Sequence, residues 1–258
     1  MNRAREQRAV ATLCFGPLGV AMAELSRPLL QNYAERCQAD FQIWADAMGP
    51  AAELAPRQQV GASFSAGMLE KMTWLERTLA EYERVLWIDL DVLVRPDAPD
   101  LFALIPEGQV AMFDECTIAN DCQVWHRHQH MVEVCEQEGL PVPDSGGRYF
   151  NCGLMMLPAS CRWLFAPRRK PIPHPWCEQS VVNVRLFLRP DVRVLPLPEC
   201  FNRFVYWPGV VPRRYEAMSY FLHYAGPPDD PSRLKDMRKQ LDRWREDYKC
   251  FPWDVYDR

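Results

Sequence analysis

No stretch of this chain approaches the ~18 consecutive apolar residues that a membrane-spanning helix requires. The first apolar run, Val10 to Phe15, is only strand length before Gly16-Pro17 interrupts it. Three arginines by position 8 ahead of that run give the outline of a secretion signal without its length. At most peripheral membrane contact is expected. A surplus of one charge is also missing: 30 basic residues stand against 34 acidic ones, for a net charge of −4. That balance offers no general attraction to nucleic acid or to an anionic membrane, so a nucleic-acid partner is not expected. The ten cysteines include no C-x-x-C pair, and several sit inside apolar runs as small buried residues do. Reduced thiols and a cytoplasmic location are the expectation.

What is present is enough apolar material for a full core. At 258 residues and 48% hydrophobic, residues 1–258 fit a single α/β domain. Arg8 to Phe15 predicts a first buried strand, with Gly16-Pro17 and Gly19 as the loop leaving it. Open α/β sheets place ligands at such strand ends, which makes Phe15 and Gly16 candidate ligand contacts. Ala23 to Arg36 carries Leu25, Leu29, Leu30 and Tyr33 at helical spacing, and Phe41 to Trp44 predicts a second strand. A polar connection over 46–61 precedes a helix whose face is marked by Met68, Met72, Leu75 and Leu79.

That helix leads into Val85-Leu86-Trp87-Ile88-Asp89-Leu90-Asp91-Val92-Leu93-Val94. The run reads as one buried strand whose carboxyl end delivers Asp89 and Asp91 to a cleft. On a regular strand the two carboxylates would share a face and repel unless a cation sat between them, which points to a divalent metal. The same pair would also suit the cap of a turn continuing through Pro96-Asp97.

Further along, Gln109 to Phe113 predicts a strand that ends at Asp114-Glu115, a second carboxylate-bearing strand end. Asp121 to Glu138 predicts a helix with Trp125, Val132 and Cys135 on its buried side. Its His126, His128 and His130 match no usual zinc framework, and on a helix His128 faces away from the other two, so a polar face is expected rather than a zinc site. Tyr149 to Leu157 predicts a strand interrupted at Asn151-Cys152-Gly153, where a small residue marks either a bulge or the close approach of another group. Glu178 to Leu188 predicts a helix with Glu178 and Gln179 in its first turn. Val192 to Leu197 and Met218 to Tyr224 predict short strands, and a C-terminal amphipathic helix at about 231–250 closes the fold.

Taken together, the run from Lys71 to Val94, the sequence Tyr149-Phe150-Asn151-Cys152-Gly153-Leu154-Met155-Met156, the helix start Glu178-Gln179-Ser180, and His223-Tyr224-Ala225-Gly226 resemble glycosyltransferase family 8, the glycogenin and lipopolysaccharide galactosyltransferase group. The resemblance runs from the first strand to about Gly226. It implies a GT-A fold, a Rossmann-like mixed sheet flanked by helices. It also implies a hexosyltransferase using a nucleotide-diphospho-sugar, with a uridine diphospho-sugar the expected donor, an acceptor hydroxyl not readable from the sequence, and manganese or magnesium.

Carried onto this chain, the resemblance makes Asp89, Asp91 and His223 the metal ligands, with Leu90 between the carboxylates in the nucleotide site. It places Asp114, Asn151, Gly153, Glu178 and Gln179 around the donor sugar and Lys71 on the phosphate side, and it implies transfer with retention. One departure stands out. The family continues from its final His-x-x-Gly into Lys-Pro-Trp, whose lysine grips the diphosphate, whereas here Gly226 precedes Pro227-Pro228-Asp229-Asp230. Either Arg233 or Lys235 takes over that grip, or the grip is weak, or the chain binds without turnover. Phe201 to Trp207 and Arg213-Arg214 are candidates for an acceptor cleft. A haloacid dehalogenase-type phosphohydrolase, which also carries Asp-x-Asp after a buried strand, and a silent sugar-nucleotide binder are the alternatives.

Overall fold

The computed structural model describes residues 7–45, 60–166, 177–206, 217–226 and 232–253, and of residues 60–69 and 177 the backbone only. Its main sheet has six strands in the order β2-β1-β3-β6-β5-β7. These are β1 (Arg8–Leu13), β2 (Asp40–Trp44), β3 (Arg84–Ile88), β5 (Val110–Asp114), β6 (Phe150–Pro158) and β7 (Val194–Pro196). A small second sheet, β4-β9-β8, joins β4 (Val92–Val94), β8 (Arg203–Phe204) and β9 (Phe221–His223). The helices are α1 (Gly16–Arg36), α2 (Val60–Glu81), α3 (Leu101–Leu104), α4 (Asp121–Glu138), α5 (Cys177–Phe187) and α6 (Ser232–Asp247).

β3 is the strand around which the rest is built. It runs parallel to β1 and antiparallel to β6, and all five of its residues are buried. Leu86 and Ile88 pack on one side with Leu29, Leu30 and Tyr33 of α1 and Met237, Leu241 and Trp244 of α6. Val85 and Trp87 pack on the other with Leu75 and Leu79 of α2 and Val182 and Leu186 of α5. A strand covered on both faces reads as a continuous apolar run instead of an alternating one, which is why β3 was visible in the sequence.

Four sequence expectations change. Gly16-Pro17 and Gly19 do not form a loop; α1 begins at Gly16 with Phe15 as its N-cap residue, because a proline in the first turn gives up only an N–H that has no helical partner anyway. The run 85–94 is two strands rather than one. The N–H of Val92 bonds the carbonyl of Asp89 at 3.0 Å, closing a turn at the acidic pair. On α4, Trp125 is 57% exposed and the buried stripe is Arg127, Met131, Val134 and Cys135. Finally, no strand was foreseen at Arg203–Phe204; the nine described cysteines are free. The stretches 46–59, 167–176, 207–216 and 227–231 lie outside the described residues. Among the described residues no helix is long and apolar enough to cross a membrane.

Candidate functional site

The turn between β3 and β4 delivers the acidic pair. Asp89 leaves β3 with its N–H on the carbonyl of Gly153 in β6, at 2.8 Å. Leu90 turns its side chain into the core, so only its backbone is left to face a ligand. Asp91 is next to β4, and the β4–β9 pairing sets Val92 opposite His223, while the N–H of Tyr224 bonds the Asp91 carbonyl at 2.8 Å. The second sheet is thus what brings a histidine 132 positions away in sequence to the pair. Ligand atoms of Asp89, Asp91 and His223 all lie within 4.8 Å of one another, and among the described residues theirs is the one such acidic and histidine group. His126, His128 and His130 form none.

The close seat of His223 depends on Gly153. A Cβ there would collide with His223 Cε1 and lie 2.9 Å from Asn151 Oδ1 and 3.0 Å from His223 Nδ1. Of the two meanings the sequence allowed for a glycine in this strand, close approach is therefore present, together with a register shift between β5 and β6 at Met112/Phe113. The His223 ring is held on another side by Phe204, stacked at 4.8 Å between centroids.

The two carboxylates are not left facing each other unpaired, contrary to the strand-based expectation. Because the chain turns between them, each has its own cation. Asp89 accepts from Lys71 Nζ at 2.9 and 3.1 Å and from the Trp87 indole at 2.6 Å. Asp91 Oδ2 is ion-paired with Arg233, in the first turn of α6. Arg233 also donates to the carbonyl of Tyr224 at 2.7 Å and to that of Gly226 at 3.4 Å. Lys235, on the same turn, is exposed.

Burial works against the Lys71 charge, but Asp89 and Glu178 more than offset it and hold its pKa above the ordinary value. Glu178, whose Oε1 lies 3.7 Å from Lys71 Nζ, is pushed up to about 7 by burial, with Lys71 pulling it down and Asp89 pushing it up. Its Oε2 is buried without a hydrogen-bond partner. Asp91 would also be raised by burial, yet His223 and Arg233 hold it well below the usual carboxylate range.

The residues expected around the donor sugar divide into two groups. Asn151, Gln179 and Glu178 are buried. Asn151 donates to Glu115 Oε1 at 2.7 Å and Gln179 Oε1 at 3.1 Å and accepts from Gly153 and Asn202, each at 2.8 Å. Gln179 accepts from the Cys152 N–H at 3.0 Å and donates to Glu115 at 3.0 Å. Asp114, by contrast, caps the following short helix, accepting from the N–H groups of Cys116 at 3.0 Å and Tyr149 at 3.2 Å. Burial raises its pKa.

It is Glu115, ion-paired with Arg127 at 2.8 Å, that points into the network. Its position at the end of an apolar strand was a usable signal. Asn202, which joins Asn151 to His223, carried none. Of the acceptor candidates, Phe201 and Phe204 belong to the core, and Trp207, Arg213 and Arg214 lie outside the described residues.

No protein-family model matches the chain, and no curated protein matches it. Among solved structures, it is similar to a glycosyltransferase involved in the glycosylation of the major capsid of PBCV-1. Identity there is 14%, with 90% of this chain and 99% of that one covered and a TM-score of 0.57. The fold is of the GT-A type. A second similar structure is the bifunctional glycosyltransferase WbbM without ligand, at 14% identity and a TM-score of 0.54, covering 93% of this chain and 50% of that one. The acidic turn lies at the carboxyl end of β3, beside the amino end of β6.

The Asp89, Asp91 and His223 cluster fits a divalent cation. Asp91 Oδ1 is buried without a hydrogen-bond partner and lies 3.4 Å from His223 Nε2. Two carboxylates and an imidazole are a donor set for manganese or magnesium.

Proposed function

We propose that the chain is a metal-dependent glycosyltransferase. It takes a hexosyl group from a nucleotide-diphospho-sugar, with a uridine diphospho-sugar as the expected donor, and places it on an acceptor hydroxyl with retention of configuration. The observation that carries this reading is the orphaned Asp91 Oδ1 facing His223 Nε2 in a half-buried group with Asp89, set at a strand end of a GT-A fold. The motif order from Lys71 to Gly226 supports family 8 as the nearer kin.

In this reading Asp89, Asp91 and His223 hold manganese or magnesium, which when bound would offset the charge of the departing diphosphate. Lys71 and Arg233 supply two more cationic groups at the same place. Arg233, already at Asp91, fills the role of the missing family lysine. The bond between the anomeric carbon and the diphosphate oxygen breaks, the acceptor oxygen bonds that carbon from the same face, and the acceptor proton passes to the leaving phosphate oxygen. Asn151, Gln179 and Glu178 form the polar wall around the sugar, with Asp114 at its edge. Gln179, an amide, suits stabilisation of positive charge at the anomeric carbon rather than covalent capture of the sugar.

A haloacid dehalogenase-type phosphohydrolase has less support, since its Asp-x-Asp normally follows the first strand, whereas here β1, α1 and β2 precede β3. One observation favours binding without turnover, namely the Arg233 guanidinium on Asp91. Incubation with a panel of nucleotide sugars plus manganese, read as released nucleoside diphosphate, tests the proposal. Binding without any release would favour the silent binder, and phosphoester hydrolysis the phosphohydrolase.

A further inference from the structure

We propose that Asn202 is a positioning residue that fixes His223 as its Nδ1–H tautomer and thereby presents the Nε2 lone pair toward Asp91. The purpose of this device rests on the metal reading above; its geometry does not.

The two ends of an amide side chain have nearly the same shape, so orientation has to be argued from partners of fixed polarity. Two such partners hold Asn151. The backbone N–H of Gly153, which can only donate, bonds its Oδ1 at 2.8 Å. The Glu115 carboxylate, ion-paired with Arg127 and able only to accept, takes its Nδ2 at 2.7 Å. Asn151 Oδ1 is therefore an acceptor in place. The atom of Asn202 that lies 2.8 Å from it must be the nitrogen, which turns Asn202 Oδ1 toward His223 Nδ1 at 2.9 Å. An amide oxygen accepts and never donates, so the imidazole proton belongs on Nδ1, and a neutral ring then carries its lone pair on Nε2.

The consequence agrees with an independent fact of the site. Nε2 lies 3.4 Å from Asp91 Oδ1, and that oxygen has no hydrogen-bond partner although it is buried. With the ring neutral, Nε2 and Asp91 Oδ1 are two acceptors without a proton between them, a pair that a cation completes. Asn202 is fully buried, so water does not compete for Nδ1, and the ring plane is already held by Phe204 and the gap at Gly153. The choice of tautomer is what remains for Asn202 to make.

The test uses the full chain with 15N-labelled histidine, free of metal and at a pH where the His223 ring signals no longer shift with added base. The wild-type His223 ring should show its proton on Nδ1. Asn202→Ala should lose the preference and bind manganese roughly ten- to a hundredfold more weakly by calorimetry. A wild-type ring protonated on Nε2 overturns the proposal without any variant. So does an Asn202→Ala protein that keeps the full Nδ1–H preference. A wild-type protein with the Nδ1–H ring but no manganese affinity leaves the relay standing and refutes the metal reading instead, so the two failures are distinguishable.

Discussion

Replacing Gly153 with alanine adds one methyl group at the most crowded point of the site. Gly153 has no left-handed backbone that would by itself demand glycine, so the effect of Gly153→Ala is purely steric. The new Cβ overlaps His223 Cε1 and stands 2.9 Å from Asn151 Oδ1. Neither neighbour can give way cheaply. His223 is backed by the Phe204 ring and bonded to Asn202, and Asn151 is bonded on both ends. Overpacking of this kind costs about 1–3 kcal/mol, and displacement of the imidazole should in addition weaken manganese by roughly ten- to a hundredfold, as loss of a ligand's orientation does.

A comparison isolates the local effect. Gly139, at the C-cap of α4 with φ +66°, has nothing within 4 Å of an added Cβ, so Gly139→Ala should destabilise by about 1–2 kcal/mol through backbone strain alone and leave manganese affinity untouched. Urea denaturation and calorimetry on both variants read the two quantities. A Gly153→Ala protein with wild-type stability and wild-type manganese affinity would refute the close seat of His223.

The remaining predictions concern charges and chemistry. Glu178 holds its proton up to about pH 7 when folded, against an ordinary value of 4.5. Between those values the folded chain binds more protons than the unfolded one, so stability should be full below about pH 4.5 and fall by about 3 kcal/mol by the time pH has risen through 7. Glu178→Gln should flatten that window in denaturation curves taken across it, and an unchanged slope would refute the assignment. Arg233→Ala should weaken nucleoside diphosphate binding with manganese present by roughly ten- to a hundredfold, a lost charge-assisted contact of about 1.5–3 kcal/mol, while Lys235→Ala, at an exposed position, should shift it by less than about twofold. Equal losses in both variants would give the phosphate grip to the whole helix start. Gln179→Ala should lower turnover more than donor binding, and intact-protein mass spectra during turnover should show no sugar attached. A glycosyl adduct on Glu178 or Asp114 would overturn that mechanism.

The parts of this fold that were legible in the sequence are those where one physical cause acts along a continuous run. β3 sits between two packed layers and so is apolar at every position, and α4 begins and ends where the Asn120 capping box and Gly139 require. The break at Asp89–Asp91 was hidden because a tight turn between buried strands leaves the apolar pattern on both sides intact. The buried face of α4 was misread because its stripe includes Arg127, a charged residue that is buried only because Glu115 awaits it. At the strand end the sequence offered two adjacent acids. Which of them turns inward depends on where β5 stops, and that is set by pairing with β6 rather than by either residue. Asn202 could not be found at all, since its role comes from the meeting of a short irregular segment with β6 and β9.

The most direct measurement is the shift in melting temperature on adding a nucleoside diphosphate with manganese, in the wild type and in Asp91→Asn. If Asp89, Asp91 and His223 form a cation site for a diphosphate, uridine or guanosine diphosphate with manganese at a hundred times its dissociation constant should stabilise the wild type by ~2.7 kcal/mol. Asp91→Asn, whatever its own stability, should show no such shift. A wild-type melting temperature that no uridine or guanosine diphosphate changes in the presence of manganese would contradict the account.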